Sequence, residues 1–108
     1  MRPASPAPQR VDDVLVGNIE VRRSSGQGLA TLELYYRVST GPDFSPHDPS
    51  RFVKLVSGRQ TIAPSWAPPA INVPPRSHQD IMVRFNLPAP PPLVFRFGEE
   101  QPVDISVQ

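Results

Sequence analysis

The chain has no cysteine, which removes disulfides, thiolate nucleophiles and Cys-ligated zinc together. Lysine is nearly absent as well: Lys54 stands alone among 11 basic side chains, the rest being arginine. No apolar run approaches the ~18 residues that a membrane span requires. The first ten residues have no apolar core of the kind a secretory signal carries. With a formal net charge of +1 and Arg22-Arg23 as the tightest basic pair, there is no nucleic-acid footprint. Nor is there a Gly-rich phosphate loop, a nucleophile elbow or a His-x-x-x-His pair. The expectation is a protein without cofactor or metal, and not an enzyme.

What the chain has in quantity is proline, 16 in 108 residues. Each proline inside a helix removes a donor and clashes with the preceding turn, so a helical bundle is excluded. Disorder is not expected either, because 38% of residues are hydrophobic and the charges nearly cancel. The length is that of one domain, able to bury a core without metal or disulfide.

Residues 1–10, with Pro3, Pro6 and Pro8, read as a Pro-rich flexible arm or linker of extended character. From Val11 onward strands follow one another. Val14, Val16, Ile19 and Val21 surround Gly17-Asn18, predicting a strand with a bulge or bend at the glycine. Ser24 to Gly28 reads as a turn or flexible loop. Ala30 to Val38 alternates Leu32, Leu34, Tyr36 and Val38 with Thr31, Glu33, Tyr35 and Arg37, so one face is dry and one wet. Gly41 to Ser50 reads as a proline-punctuated loop pinned to the core edge by Phe44.

Phe52–Val56 and Arg59–Ala63 flank Ser57-Gly58 as a hairpin. Pro64, Pro68 and Pro69 around Trp66 interrupt pairing, and Ile71-Asn72-Val73 is a short strand. Ile81, Val83, Phe85 and Leu87 alternate with polar residues until Pro88–Pro92 stops them. Leu93–Phe97 and Val103–Val107 are strands around a turn at Gly98–Gln101. The resulting fold class is all-β, an immunoglobulin-like antiparallel β-sandwich of seven or eight short strands formed by residues 11–108.

Three features support a family resemblance. The first is the alternating strand Leu32–Val38 with its long following loop. The second is the hairpin from Phe52 through Ser57-Gly58 to Pro64-Ser65. The third is Val73-Pro74-Pro75 followed by Ile81 to Phe85-Asn86-Leu87-Pro88. On these the chain resembles a bacterial family of extracytoplasmic immunoglobulin-like domains of unknown function, borne on lipoproteins and surface proteins and often called telomeric-repeat-factor-like. The resemblance implies an immunoglobulin-like fold and a place in the cell envelope or outside the cell.

Histidine offers the remaining route to catalysis. His47-Asp48 pairs a base with a carboxylate, but Pro46 and Pro49 make a structural turn the simpler reading. His78, in Arg76-Ser77-His78-Gln79-Asp80, reads as a solvated edge. Asp43 and Asp48 fall short of the six to eight oxygens that calcium takes. Recognition is better served. Trp66 with Pro68 and Pro69 forms a rigid apolar ledge, or Trp66 is a core plug between sheets, and Tyr35 and Arg37 stand on the wet face of their strand. Aromatics and arginine dominate interface hot spots, so these five residues are the candidate partner-binding surface. The partner expected is another protein. The function expected is a non-catalytic interaction or structural module of a bacterial envelope or secreted protein. The alternative is a structural component of a virion, such as a capsid-decorating protein, docking through its Pro-rich arm.

Overall fold

A computed structural model describes residues 8–26, 29–86 and 93–107. Most of the arm (1–7), Gln27-Gly28, Leu87 and the Pro88–Pro92 stop therefore lie outside the described residues. The protein is mostly β, with antiparallel sheets. Strands β1 (Gln9–Val11), β2 (Val14–Gly26), β3 (Leu29–Ser39) and β8 (His78–Phe85) form one four-stranded sheet in the order β1-β2-β3-β8. Strands β5 (Val53–Ser57), β6 (Gln60–Ile62), β9 (Leu93–Phe97) and β10 (Val103–Val107) form the second, in the order β10-β9-β5-β6. A two-stranded ribbon pairs β4 (Ser45–His47) with β7 (Ile71–Val73).

Period-2 patterning decides which faces meet. On β3 the side chains of Leu32, Leu34, Tyr36 and Val38 are buried, and across the register so are Ile81, Val83 and Phe85 of β8. Val53 and Leu55 of β5 and Leu93, Phe95 and Phe97 of β9 supply the opposing layer. Aromatic pairs join the layers: Tyr36 meets Phe97 edge-on at 5.4 Å between centroids, and Phe85 meets Phe95 at 5.7 Å.

The bulge predicted at Gly17-Asn18 is present. The β2–β3 register shifts between Gly17 and Glu20, and Asn18 takes a φ of 51°, a left-handed conformation that asparagine tolerates. Gly17 beside it lets Pro8 approach closely, since a Cβ would come within 3.1 Å of the Pro8 ring. The hairpin after β5 closes on Gly58-Arg59, one residue later than the sequence suggests, with Gly58 at φ 61°.

Three differences are instructive. Gln9 and Arg10, assigned to the arm, pair with Val16 and Leu15 as part of β1. Ser24–Gly26, read as a turn, continue β2 against Leu29–Thr31. The Gly41–Ser50 stretch is not a plain loop, because it contains β4 and leads into the single-turn helix α1 (Pro49–Phe52). Asp48 caps that turn by accepting from the Ser50 amide at 3.1 Å, and proline sits at the first helical position, where its missing donor costs nothing. Phe44 does not pin this segment, being 58% exposed, and Phe52 at the end of α1 is the buried aromatic instead. Phe52 stacks on Tyr36 and meets Phe97 edge-on.

The two sheets are tied at one end by Asp12, in the turn between β1 and β2. Its carboxylate accepts from the backbone amides of Glu99 (2.9 Å), Glu100 (3.3 Å) and Gln101 (2.9 Å) in the β9–β10 turn. Burial pushes the Asp12 carboxyl up, but the three amides together outweigh it and hold the group below its usual range. Gly98 enters that turn at φ 108°, and a Cβ there would stand 2.7 Å from Val11 Cγ1. Gly98→Ala combines left-handed strain with a clash against the Val11 side chain, and the Gln101 carbonyl oxygen lies 3.2 Å from the same Cβ, so a loss on the order of 3 kcal/mol is expected in urea unfolding. A loss under about 0.5 kcal/mol would contradict this account of the turn.

Candidate functional site

Because β2, β3 and β8 alternate, their outward side chains line up as a second surface. Register places Glu20 and Arg22 of β2 beside Tyr35 and Glu33 of β3, and Glu33, Tyr35 and Arg37 beside Arg84, Met82 and Asp80 of β8. Trp66 joins this surface through an isolated bridge to Arg84. Arg84 N–H donates to Trp66 O at 2.9 Å, and Ser65 N–H donates to Arg84 O at 2.8 Å. The Pro64–Pro69 segment is thus fastened to the free side of β8 at one point.

Directly bridged residues share a face, and the contacts follow from that. The Arg84 guanidinium lies over the Trp66 ring, 5.5 Å from its centroid, and its Nε donates to Glu33 Oε2 at 3.2 Å. Tyr35 Oη reaches Glu33 Oε1 at 3.4 Å, and the Arg22 guanidinium lies 5.1 Å from the Tyr35 centroid. Arg22 Nε in turn meets Glu20 Oε1 at 3.4 Å. One row therefore runs Trp66, Arg84, Glu33, Tyr35, Arg22, Glu20. Beside it, Arg37 grips Asp80 with both a 2.7 Å and a 3.2 Å bond. That hydrogen bonding raises the Arg37 pKa and lowers the Asp80 carboxyl below its usual value.

Trp66 is not a core plug. It is 48% exposed, and Phe85 and Phe95 fill the space between the sheets. Of the ledge, Pro68 is half-buried and Pro69 exposed, with neighbouring Ala67 packed on the core. Tyr35 and Arg37 are half-buried on the outer face as their alternation implies, and a shallow depression of about 420 Å3 lies between them, lined also by Asn18, Asp80 and Met82. Arg84, Glu33 and Arg22 were not singled out from sequence. Their participation depends on cross-strand register, which no local pattern carries.

The other sequence candidate, His47, lies elsewhere and is only 3% exposed. Its Nε2 is 2.9 Å from Tyr36 Oη, and its ring meets Phe52 at 4.4 Å between centroids. With the hydroxyl donating, the imidazole is held as the Nδ1–H tautomer. Burial lowers the His47 pKa to about 4 against the opposing pull of Asp48 and Asp13. Burial, and secondarily the Asp48 charge, raises that of Tyr36, so the pair is neutral at neutral pH. Asp48 serves α1 rather than the imidazole, and Asp13 accepts from Ser45 Oγ at 3.1 Å. His78 is exposed at the start of β8. Among the described residues, no three His, Asp or Glu side chains gather as metal ligands, and no helix is long and apolar enough to cross a membrane.

Comparison with protein-family models, curated proteins and solved structures finds no match.

Two measurements check these assignments. The unfolded chain takes up a proton on His47 near pH 6.5, whereas the folded chain resists until about 4. Stability is therefore full above 6.5 and falls as pH drops through that window, by on the order of 3 kcal/mol. Urea titrations should show that loss in the wild type and its absence in His47→Gln. Separately, the sole tryptophan reports on the row by fluorescence. Arg84→Met should change Trp66 emission and iodide quenching with stability altered by less than about 1 kcal/mol; unchanged emission would mean that the guanidinium does not cover the indole.

Proposed function

We propose that the protein is a non-catalytic interaction or structural module built as an immunoglobulin-like β-sandwich, and that it belongs to a bacterial envelope or secreted protein. Strand order supports the fold assignment. The order β2-β3-β8 is the one expected of strands A, B and E, and β10-β9-β5-β6 that of G, F, C and C′. Strand D would pair beside β8, and the Ser65-Trp66 segment takes that position through Arg84. The envelope location rests on the family resemblance of the hairpin and proline-turn motifs.

One observation carries the functional reading: a half-exposed tryptophan is held in place by an arginine that is itself held by Glu33. Such a side chain loses little freedom on binding, which is where much of the cost of association otherwise lies. Aromatic and arginine anchors of this kind dominate measured hot spots. The capsid-decorating alternative depends on the N-terminal arm, most of which lies outside the described residues.

The arginines of this face are already matched by Glu20, Glu33 and Asp80, so the partner is recognised by shape and stacking rather than by charge steering. Envelope extracts passed over the immobilised protein should yield a partner whose affinity drops tenfold or more in Trp66→Ala. Its binding should vary less than about threefold between ~50 and ~500 mM salt. A partner set unaffected by both Trp66→Ala and Tyr35→Ala would overturn the reading.

A further inference from the structure

The ladders obey a simple charge rule with one exception. Arg22 opposes Glu33, Glu33 opposes Arg84, Arg37 opposes Asp80, and Arg96 opposes Asp104. Among the described residues only Lys54 and Arg96, on β5 and β9, place like charges directly across from each other. Like charges at that separation are destabilising, and an opposite charge at residue 54 would remove the repulsion. A local rule broken without a compensating gain in packing is expected at sites that serve something other than stability.

The surroundings are also cationic. Arg51, Lys54, Thr61, Arg96, Gly98, Glu99 and Pro102 line a recess of about 340 Å3 on the outer side of the β10-β9-β5-β6 sheet. Arg96 spends Nε and Nη2 on Asp104, at 2.8 and 3.1 Å, which leaves further guanidinium N–H groups to donate. Arg51 Nε meets Glu99 at 3.2 Å. Lys54 Nζ reaches only the backbone oxygen of Arg51, at 3.4 Å, and no carboxylate pairs with it among the described residues. Three cations thus share two carboxylates around a concavity that also holds the Thr61 hydroxyl.

We infer that this recess binds an oxyanion of the phosphate or sulfate class, seated between Lys54 and Arg96, with Arg51 and Thr61 as further donors. The bound anion supplies the negative charge that the ladder lacks at this pair. Charge-assisted bonds from arginine and lysine to such an oxyanion are the strong kind. The site lies on the other sheet from Trp66 and does not depend on the partner-binding reading.

The test is amide chemical-shift mapping during titration with inorganic phosphate, against sodium chloride at equal ionic strength. Vesicles of phosphatidylcholine with and without phosphatidylglycerol form a second arm, to tell a free ion from a lipid headgroup. Saturable shifts confined to residues 51–54, 61 and 96–99 are expected in one arm. Affinity should fall at least tenfold in Lys54→Gln and stay unchanged in Arg10→Gln, which removes one positive charge from β1. Lys54→Glu converts the like pair into an opposite pair, so it should raise the Tm while abolishing binding. Localised shifts in neither arm, shifts equally produced by chloride, or equal losses in Lys54→Gln and Arg10→Gln would each overturn the site. A Tm lowered by Lys54→Glu would remove the electrostatic argument for it.

Discussion

Strand β3 can be satisfied in only one register, and the arrangement of the rest follows from that. Its inward side chains, Leu32, Leu34, Tyr36 and Val38, are buried. Its outward charges are paired across to β8, Glu33 with Arg84 and Arg37 with Asp80. A slip of one residue would drive Glu33, Tyr35 and Arg37 into the core and put four apolar side chains in water. Hydrophobic burial supplies most of the free energy, while the outer pairs discriminate between slips of two, which burial alone would tolerate. The Trp66 row is a by-product of the same register, since Arg84 reaches both Glu33 and the indole only when β3 and β8 are aligned this way.

Much of this was legible in the sequence wherever it depended on period and local chemistry. Alternation along Leu32–Val38 and Ile81–Phe85 gave the two faces, Gly17-Asn18 the bulge, and Gly58 the hairpin. The Pro-rich stretch from Gly41 to Ser50 concealed β4 and α1, because proline and turn formers look alike whether they make a loop or cap a short helix. Choosing between Phe44 and Phe52 required knowing which way that segment folds back. His47 read as a turn residue, since nothing beside it in sequence announces Tyr36 as its hydrogen-bond partner. For the candidate site, Trp66, Tyr35 and Arg37 were visible as residue types on the right strand face, whereas Arg84, Glu33 and the exposure of Trp66 are properties of pairing between distant strands.

The outer faces of the two four-stranded sheets are built on different principles. On β2-β3-β8 the charges cancel locally and the aromatic groups are left as the distinguishing feature. On β5-β9-β10 the charges do not cancel, and Arg96 is shared between an acidic neighbour and a basic one. A protein with one neutral, aromatic face and one cationic face has two chemically distinct surfaces, each rigid because it rides on a sheet whose other side is core.

The Asp12 clasp also joins parts of the chain that are far apart in sequence. The carboxylate belongs to the first turn of the described chain and its three amide donors to the last. β3 likewise waits for β8, and β5 for β9. A chain emerging N-terminus first has almost no closed layer to settle into until residues near 100 are free of the ribosome. Most contacts join residues distant in sequence, the topology that goes with slower folding. Until β5 and β9 are in place, the β2–β3 pair has an apolar inner face with nothing to cover it.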